Sequence, residues 1–432
     1  MIKIFFISLL CMFPVYIAAS PVLEITSSFN PETPGALTIG KGGAVIASAD
    51  NPFSAYWNPA GYMNMLQSEF AFDFVNLIRD ENVMSENYSR TYSERVRDKA
   101  VNYLGFAYPL QIFDRNMVIS VAYQNLYDFN RDWIIRFNKK GLENDLMLYT
   151  QSGNLSALGL SYCFQISPKL SAGITLNLWD DDISKNQWIQ NYHTKIFIGK
   201  QQVIDDQKKE IYTFDGKSIN LGFLWRINPL FHMGGIVRFA FTADINHQII
   251  QKDPLMSTEV NTENLKESLQ MPTSYAIGFS YKYSDQLFLS LDFYQTRWDT
   301  FIYTKQNGDE INPLNGEYIN RSKTKPTFQV RSGIEYRYIN REKEYIIPLR
   351  AGFFYDPAPS SRSPDTILGF SLGSGLTYKK ISFDIAYQFR YGNDVGEDLF
   401  NHLNFDFSED LREHKIYAGM IIYTSAFFNP LN

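Results

Sequence analysis

Strict alternation of apolar and polar residues, kept up over ten or more positions and repeated along the chain, limits this sequence more than any other feature. Successive side chains of a strand point to opposite sides, so period two marks an extended segment with two unlike faces. Between 381 and 392, Ile381, Phe383, Ile385, Tyr387, Phe389 and Tyr391 share one face, and Ser382, Asp384, Ala386, Gln388 and Arg390 the other. Phe328, Val330, Ile334, Tyr336 and Tyr338 oppose Gln329, Arg331, Gly333, Glu335 and Arg337 in the same way. Fourteen such segments run at 68–77, 100–109, 116–128, 154–166, 169–181, 217–228, 232–247, 273–284, 287–299, 326–339, 345–356, 366–379, 381–392 and 412–424. The connections alternate between short ones, around Asp114, Pro168, Pro229, Asp285, Arg341 and Lys380, and long ones at 78–99, 129–153, 182–216, 248–272, 300–325, 357–365 and 393–411.

Strands of about nine to eleven residues cross a bilayer at a tilt, and an even number of them with short turns on one side and long loops on the other predicts an all-β transmembrane barrel. We therefore expect a fourteen-stranded antiparallel barrel over 68–432. A water-soluble sandwich also alternates, but its strands run about five or six residues and its outer face is polar. Here Tyr281, Tyr283, Tyr336, Tyr338, Tyr387 and Tyr391 gather at segment ends, as aromatic girdles do. In lipid every strand edge must be paired, so the sheet has to close. The barrel also explains how 34 Phe, 28 Tyr and 6 Trp coexist with a slightly negative mean hydropathy, because every second wall residue faces a polar lumen. A net charge of -6 argues against a nucleic-acid surface. Five His and two Cys leave little for metal or thiol chemistry, and no cofactor, metal or catalytic residue is expected.

Residues 1–20 read as a secretory signal peptide: Lys3, an apolar stretch from Ile4 to Ile17, then the small residues Ala18, Ala19 and Ser20. Cys11 lies inside the apolar stretch after the bulky Leu10, a poor lipidation site, so the exported chain keeps Cys163 alone. Residues 21–67 do not alternate, are rich in Gly, Ala, Pro and Asn, and are too polar for lipid. Placed ahead of a barrel, they either lie free in the periplasm or fill a lumen wide enough to need filling.

Within them the run from Gly40 through Lys41, Gly42, Gly43, Ala44 and Val45 to Asp50, Asn51 and Pro52, ending in Asn58, Pro59, Ala60 and Gly61, resembles the amino-terminal hatch of outer-membrane long-chain fatty-acid transporters of the FadL type. The resemblance implies a channel for apolar molecules, plugged by its amino terminus, in which ligand binding shifts the plug and opens a lateral exit. By carry-over Gly42, Gly43, Asn58, Pro59 and Ala60 belong to that plug. In the family the exit comes from an inward kink of the third strand. The segment from Asn116 to Asp128 holds neither Gly nor Pro, so no kink can be read there. The chain also ends beyond Phe428 rather than on the terminal aromatic common in barrels.

Two motifs imitate enzyme chemistry. Gly35 to Lys41 is close to a phosphate-binding loop, but Gly42 stands where Ser or Thr would hold magnesium. Gly369-Phe-Ser371-Leu-Gly373 spells a hydrolase nucleophile elbow, which needs a strand-to-helix turn, whereas alternation continues unbroken to Tyr378. The bland alternative is a stripe of small residues facing the lumen; His232, His402 and His414 stay open as bases.

Parity sends Arg226, Arg238, Asp292, Arg331, Glu335, Arg337, Arg350, Asp384 and Arg390 inward, since a charge facing mid-bilayer lipid costs about 2–4 kcal/mol. They form either an ion-pair network tethering plug to wall or, at Arg238, Arg331 and Arg350, a clamp for a fatty-acid carboxylate. The longest external connection carries Trp188, Ile189 and Phe197, either an exposed apolar landing site or part of a β-extension above the membrane. The expected protein is thus a monomer of the bacterial outer membrane, surrounded by lipid and lipopolysaccharide, that binds a long-chain fatty acid or other apolar ligand and makes no bond. A non-conducting scaffold of a secretion system and a general porin are the alternatives.

Overall fold

A computed structural model describes residues 33–84, 92–112, 115–136, 146–184, 186–198, 200–252, 260–360, 363–397 and 408–424. The signal peptide, Cys11, His402 and Phe428 lie outside them. Fourteen antiparallel wall strands follow in chain order. They are β1 (Ser68–Met84), β2 (Tyr92–Ile112), β3 (Arg115–Asp128, continued by Arg131–Arg136), β4 (Leu146–Ser167) and β5 (Leu170–Trp179, continued by Gln187–Ile198). Next come β6 (Gln201–Arg226), β7 (Phe231–Arg238, continued by Phe241–Lys252), β8 (Asn261–Met271, continued by Ser274–Lys282) and β9 (Leu287–Thr296). The last are β10 (Thr327–Asn340), β11 (Tyr345–Tyr355), β12 (Ile367–Tyr378), β13 (Ile381–Val395) and β14 (Ser408–Thr424). Each pairs with its neighbour, and β14 returns to β1 from Ser68↔Thr424 to Met84↔Ser408, which closes the barrel.

Parity decides the faces as the alternation requires. Phe370, Leu372, Ile381, Phe383 and Ile385 are exposed on the outer wall, where lipid replaces water, while Ser371, Ser382, Asp384 and Gln388 are buried toward the lumen. Several long connections are strand continuations: β5 and β6 run on as a ladder from Gln187↔Thr213 to Ile198↔Gln201. The wall thus rises on one side beyond its apolar band.

Strand β3 departs from the regular ladder. Its pairing with β2 runs from Ile112↔Arg115 to Tyr103↔Gln124. At that level each strand carries one extra residue, Asn102 against β1 and Leu126 against β4, and such bulges bend a strand. Beyond them β3 reaches side chains that β1 sends into the lumen: the Arg131 and Trp133 side chains meet the Glu81 carboxylate at 3.1 and 2.6 Å, and Arg79 lies 3.6 Å from Asp128. Because β2 stands between β1 and β3 in the wall, these contacts require β3 to lean inward across β2. The kink that Asn116–Asp128 does not spell in Gly or Pro is made by an inserted residue instead.

Residues 33–67 lie inside the barrel as two single-turn helices, α1 (Ala36–Ile39) and α2 (Ser54–Trp57), and a 3-10 turn over Pro59–Asn64. Lumen-facing glycines make the seat. A Cβ at Gly173, Gly234, Gly333 or Gly352 would stand 2.1–2.6 Å from backbone atoms of Pro59, Ile46, Lys41 or Gly42. Gly234 faces Gly278, Gly173 faces Gly222 and Gly333 faces Gly352 across adjacent strands, so the wall is thinnest where the segment's backbone presses on it.

Candidate ligand site in the lumen

The segment is held by polar groups on the lumen face. Asp292 of β9 accepts from the Val45 and Ile46 N–H groups at 2.7 and 3.0 Å. Across the barrel, Asp73 of β1 accepts from Gly35 and Ala36 at 3.1 and 2.9 Å, with the Asn102 amide at 3.0 Å. Asn58 is fully buried and donates to the carbonyls of Ile46 and Phe223 at 2.8 and 2.9 Å, while its own oxygen caps Ala60. Ser171 donates to the Ala60 carbonyl at 3.0 Å, and Pro59 lies over Gly173 and Gly222. Gly42 and Gly43 have φ of 69° and 70°, a turn that glycine takes without steric penalty. Ser371, the centre of the apparent elbow, accepts from the Gly42 N–H at 2.9 Å. It sits mid-strand in β12 and belongs to this seat.

The three arginines have different surroundings. Arg350 lies between Glu335 and Asp384, at 2.6 and 2.5 Å, and does not line the cavity described below. Arg331 pairs with Asp356 at 3.2 Å, donates to the Gly42 carbonyl at 3.2 Å and packs on the rings of Tyr294 and Phe354. Arg238 donates to the Tyr56 carbonyl at 3.0 Å and lies 4.7 Å from that ring's centre; among the described residues no carboxylate reaches it. The ion-pair network and the open guanidinium are therefore both present, on different arginines.

On the outer side of the segment lies a cavity of about 90 Å³. Tyr56 and Trp57 form its floor, Tyr127, Trp179, Phe241, Tyr294 and Trp298 much of its wall, and Arg238 and Arg331 its cationic edge. Gln124 and Leu126, the residues at which β3 leaves β2, line it as well, so the β2–β3 pairing ends beside the cavity, at a seam that the continuation of β3 leans across. Sequence reasoning missed this aromatic set because its members come from several wall strands, α2 and the 3-10 turn at Trp298–Thr300. The signal that was present is parity, which puts Trp179 and Tyr294 on lumen faces.

Trp188 is fully buried on the inner face of the β5 extension, stacked on Tyr212 at 4.7 Å between ring centres. Ile189 and Phe197 are half-buried on the same strand. The apolar stretch is thus the β-extension rather than an exposed landing loop, since its Trp is enclosed by the stack from Phe129 to Tyr212 and His247.

No family model matches the chain, and no curated protein does. Solved structures do. A Pseudomonas aeruginosa FadL homologue superposes with a TM-score of 0.62 at 13% identity, over 92% of this chain and 100% of that one. This protein has the FadL fold. The Ralstonia pickettii toluene transporter TbuX aligns with a TM-score of 0.55 at 13% identity, over 91% of this chain and 100% of that one. For the Pseudomonas putida toluene transporter TodX the values are 0.52 and 12%, over 93% and 100%. TbuX and TodX are described as toluene transporters.

Proposed function

We propose that the protein is a bacterial outer-membrane channel of the FadL family that passes apolar small molecules inward by diffusion. The observation that carries the reading is an aromatic cavity lying between a filled lumen and a seam in the wall. An apolar molecule loses its contact with water in such a cavity and leaves sideways without crossing a polar passage. Residues 33–67 act as the hatch: Gly42, Gly43, Asn58, Pro59 and Ala60 are its hinges and latches, and a shift of this segment opens the way to the lateral exit. The relatives described as carrying toluene support an apolar cargo.

The finer reading is a cargo with one anionic end, a long-chain fatty acid being the type case. Arg238 is its partner, because a guanidinium without a carboxylate matches an incoming one bidentately. Proteoliposomes holding the purified protein test both levels. Apolar solutes should cross while sucrose is excluded, and sucrose entering as fast would replace the channel by a general porin. Arg238→Gln should weaken binding of a fatty acid by about tenfold and leave a neutral hydrocarbon within about twofold. Equal loss for both would remove the carboxylate role.

A further inference from the structure

The outer surface of β13, β14, β1 and β2 changes character abruptly along the strands. The ladders align outward-facing residues in rows. Ile381, Ile422, Phe70 and Phe106 share one row, and two rows further along stand Ile385, Ala418, Phe74 and Val101. The next row brings Lys99 beside Asn76, the one after it Arg97 beside Ile78 and His414, and the one after that Arg95 and Arg412 on either side of Asp80; the row beyond carries Asp410 beside Asn82. Arg95 holds the Asp80 carboxylate at 2.6 Å. Lys99, Arg97 and Arg412 are exposed, and among the described residues no carboxylate lies within ion-pair distance of them. On the opposite wall the same border carries Asp215 directly beside Asp244. That wall also exposes Lys209, Lys217 and Lys266, but four cations in three successive rows gather only on the first face, which includes β2 at the edge of the seam.

We propose that this face is a binding surface for the phosphates of the anionic glycolipid of the outer leaflet. The acyl chains lie on the Phe70-to-Val101 rows, and Lys99, Arg97 and Arg412 take the phosphates directly above them. Neighbouring strands stand about 4.8 Å apart and successive rows about 7 Å, so the three cations surround a patch the size of a phosphorylated sugar. A glycerophospholipid offers a single phosphate and fills only part of it. The inference rests on the outer-membrane reading and is independent of what the lumen carries: a protein that binds the glycolipid and transports nothing would keep it.

Native mass spectrometry of the full chain in detergent tests this, with bisphosphorylated lipid A, the same lipid stripped of phosphate, and phosphatidylglycerol as probes. Each cation near an anionic headgroup contributes about a fivefold factor in affinity. Replacing Arg97, Lys99 and Arg412 together by Gln should therefore weaken lipid A binding on the order of a hundredfold. Lys217→Gln on the opposite wall should leave it within about twofold. Arg97→Gln alone, an exposed single change, should cost about fivefold and serves if the triple variant does not fold. Undiminished binding by these variants, or equal binding of dephosphorylated lipid A, overturns the proposal. Phosphatidylglycerol binding as tightly as lipid A overturns its assignment to the glycolipid.

Discussion

Asp292→Ala should loosen the lumenal segment without opening the wall. In the native chain one buried carboxylate oxygen accepts two backbone N–H groups, Val45 at 2.7 Å and Ile46 at 3.0 Å. Hydrogen bonds to charged groups contribute about 1.5–3 kcal/mol each, so two give roughly 3–6 kcal/mol. Relief of the buried carboxylate offsets part of this, which favours the lower end, about 3 kcal/mol. Local opening of the segment should then be on the order of a hundredfold more frequent. Hydrogen exchange of a peptide covering residues 43–49 reads that change directly. Asp292→Asn keeps a neutral acceptor and should lose about half as much free energy. Asp73→Ala should release Gly35 and Ala36 and leave Val45 protected, because it clamps the other side. If Asp292→Ala folds and the 43–49 peptide exchanges as in the native protein, Asp292 is not a latch and the segment is held by packing alone.

Three further outcomes follow from the same contacts. Gly352→Val places a Cβ about 2.1 Å from the Gly42 nitrogen and should displace the segment, seen as sucrose entry into proteoliposomes; continued exclusion of sucrose would count against the glycine seat. Trp188→Ala removes a fully buried indole from the β5 extension and should destabilise that extension by about 3–5 kcal/mol, read as faster exchange over 187–198 with the rest of the wall unchanged. His247 lies on the extension of β7. Burial works against its charged form, but Glu210 and Glu267 outweigh burial and hold its pKa above 6.5; Lys208 and Tyr303 also face those carboxylates. Its contribution to stability is therefore complete below the ordinary imidazole value and lost as pH rises through the raised one. Protection of residues 245–250, corrected for intrinsic exchange, should fall on the alkaline side and stay flat in His247→Gln.

All fourteen wall strands were legible because period two survives averaging: a lumen face and a lipid face cannot exchange without burying charge in hydrocarbon. The inward placement of Arg331, Glu335, Asp384 and Arg390 came from the same parity, and all four are buried. The inward lean of β3 was not legible, because one extra residue, Leu126, makes it and no residue type marks an insertion. The external connections looked like loops for a related reason. Gln190 and Thr194 face inward beside Trp188 and Tyr192, so that face mixes polar with aromatic residues and the contrast between faces fades. The sorting of Arg238 from Arg350 was likewise beyond the sequence, since it depends on which carboxylates adjacent strands bring abreast. Glu335 and Arg350 pair because β10 and β11 set them opposite each other.

The paired glycines let the lumenal backbone lie directly against the wall, and the same close fit reaches the strands that close the barrel. Asp73, which holds Gly35 and Ala36, is on β1. Gly419, where a Cβ would stand 3.3 Å from the Ala36 methyl, is on β14. These are the two strands whose meeting ends the sheet. The segment therefore braces from inside the one joint that closes the cylinder.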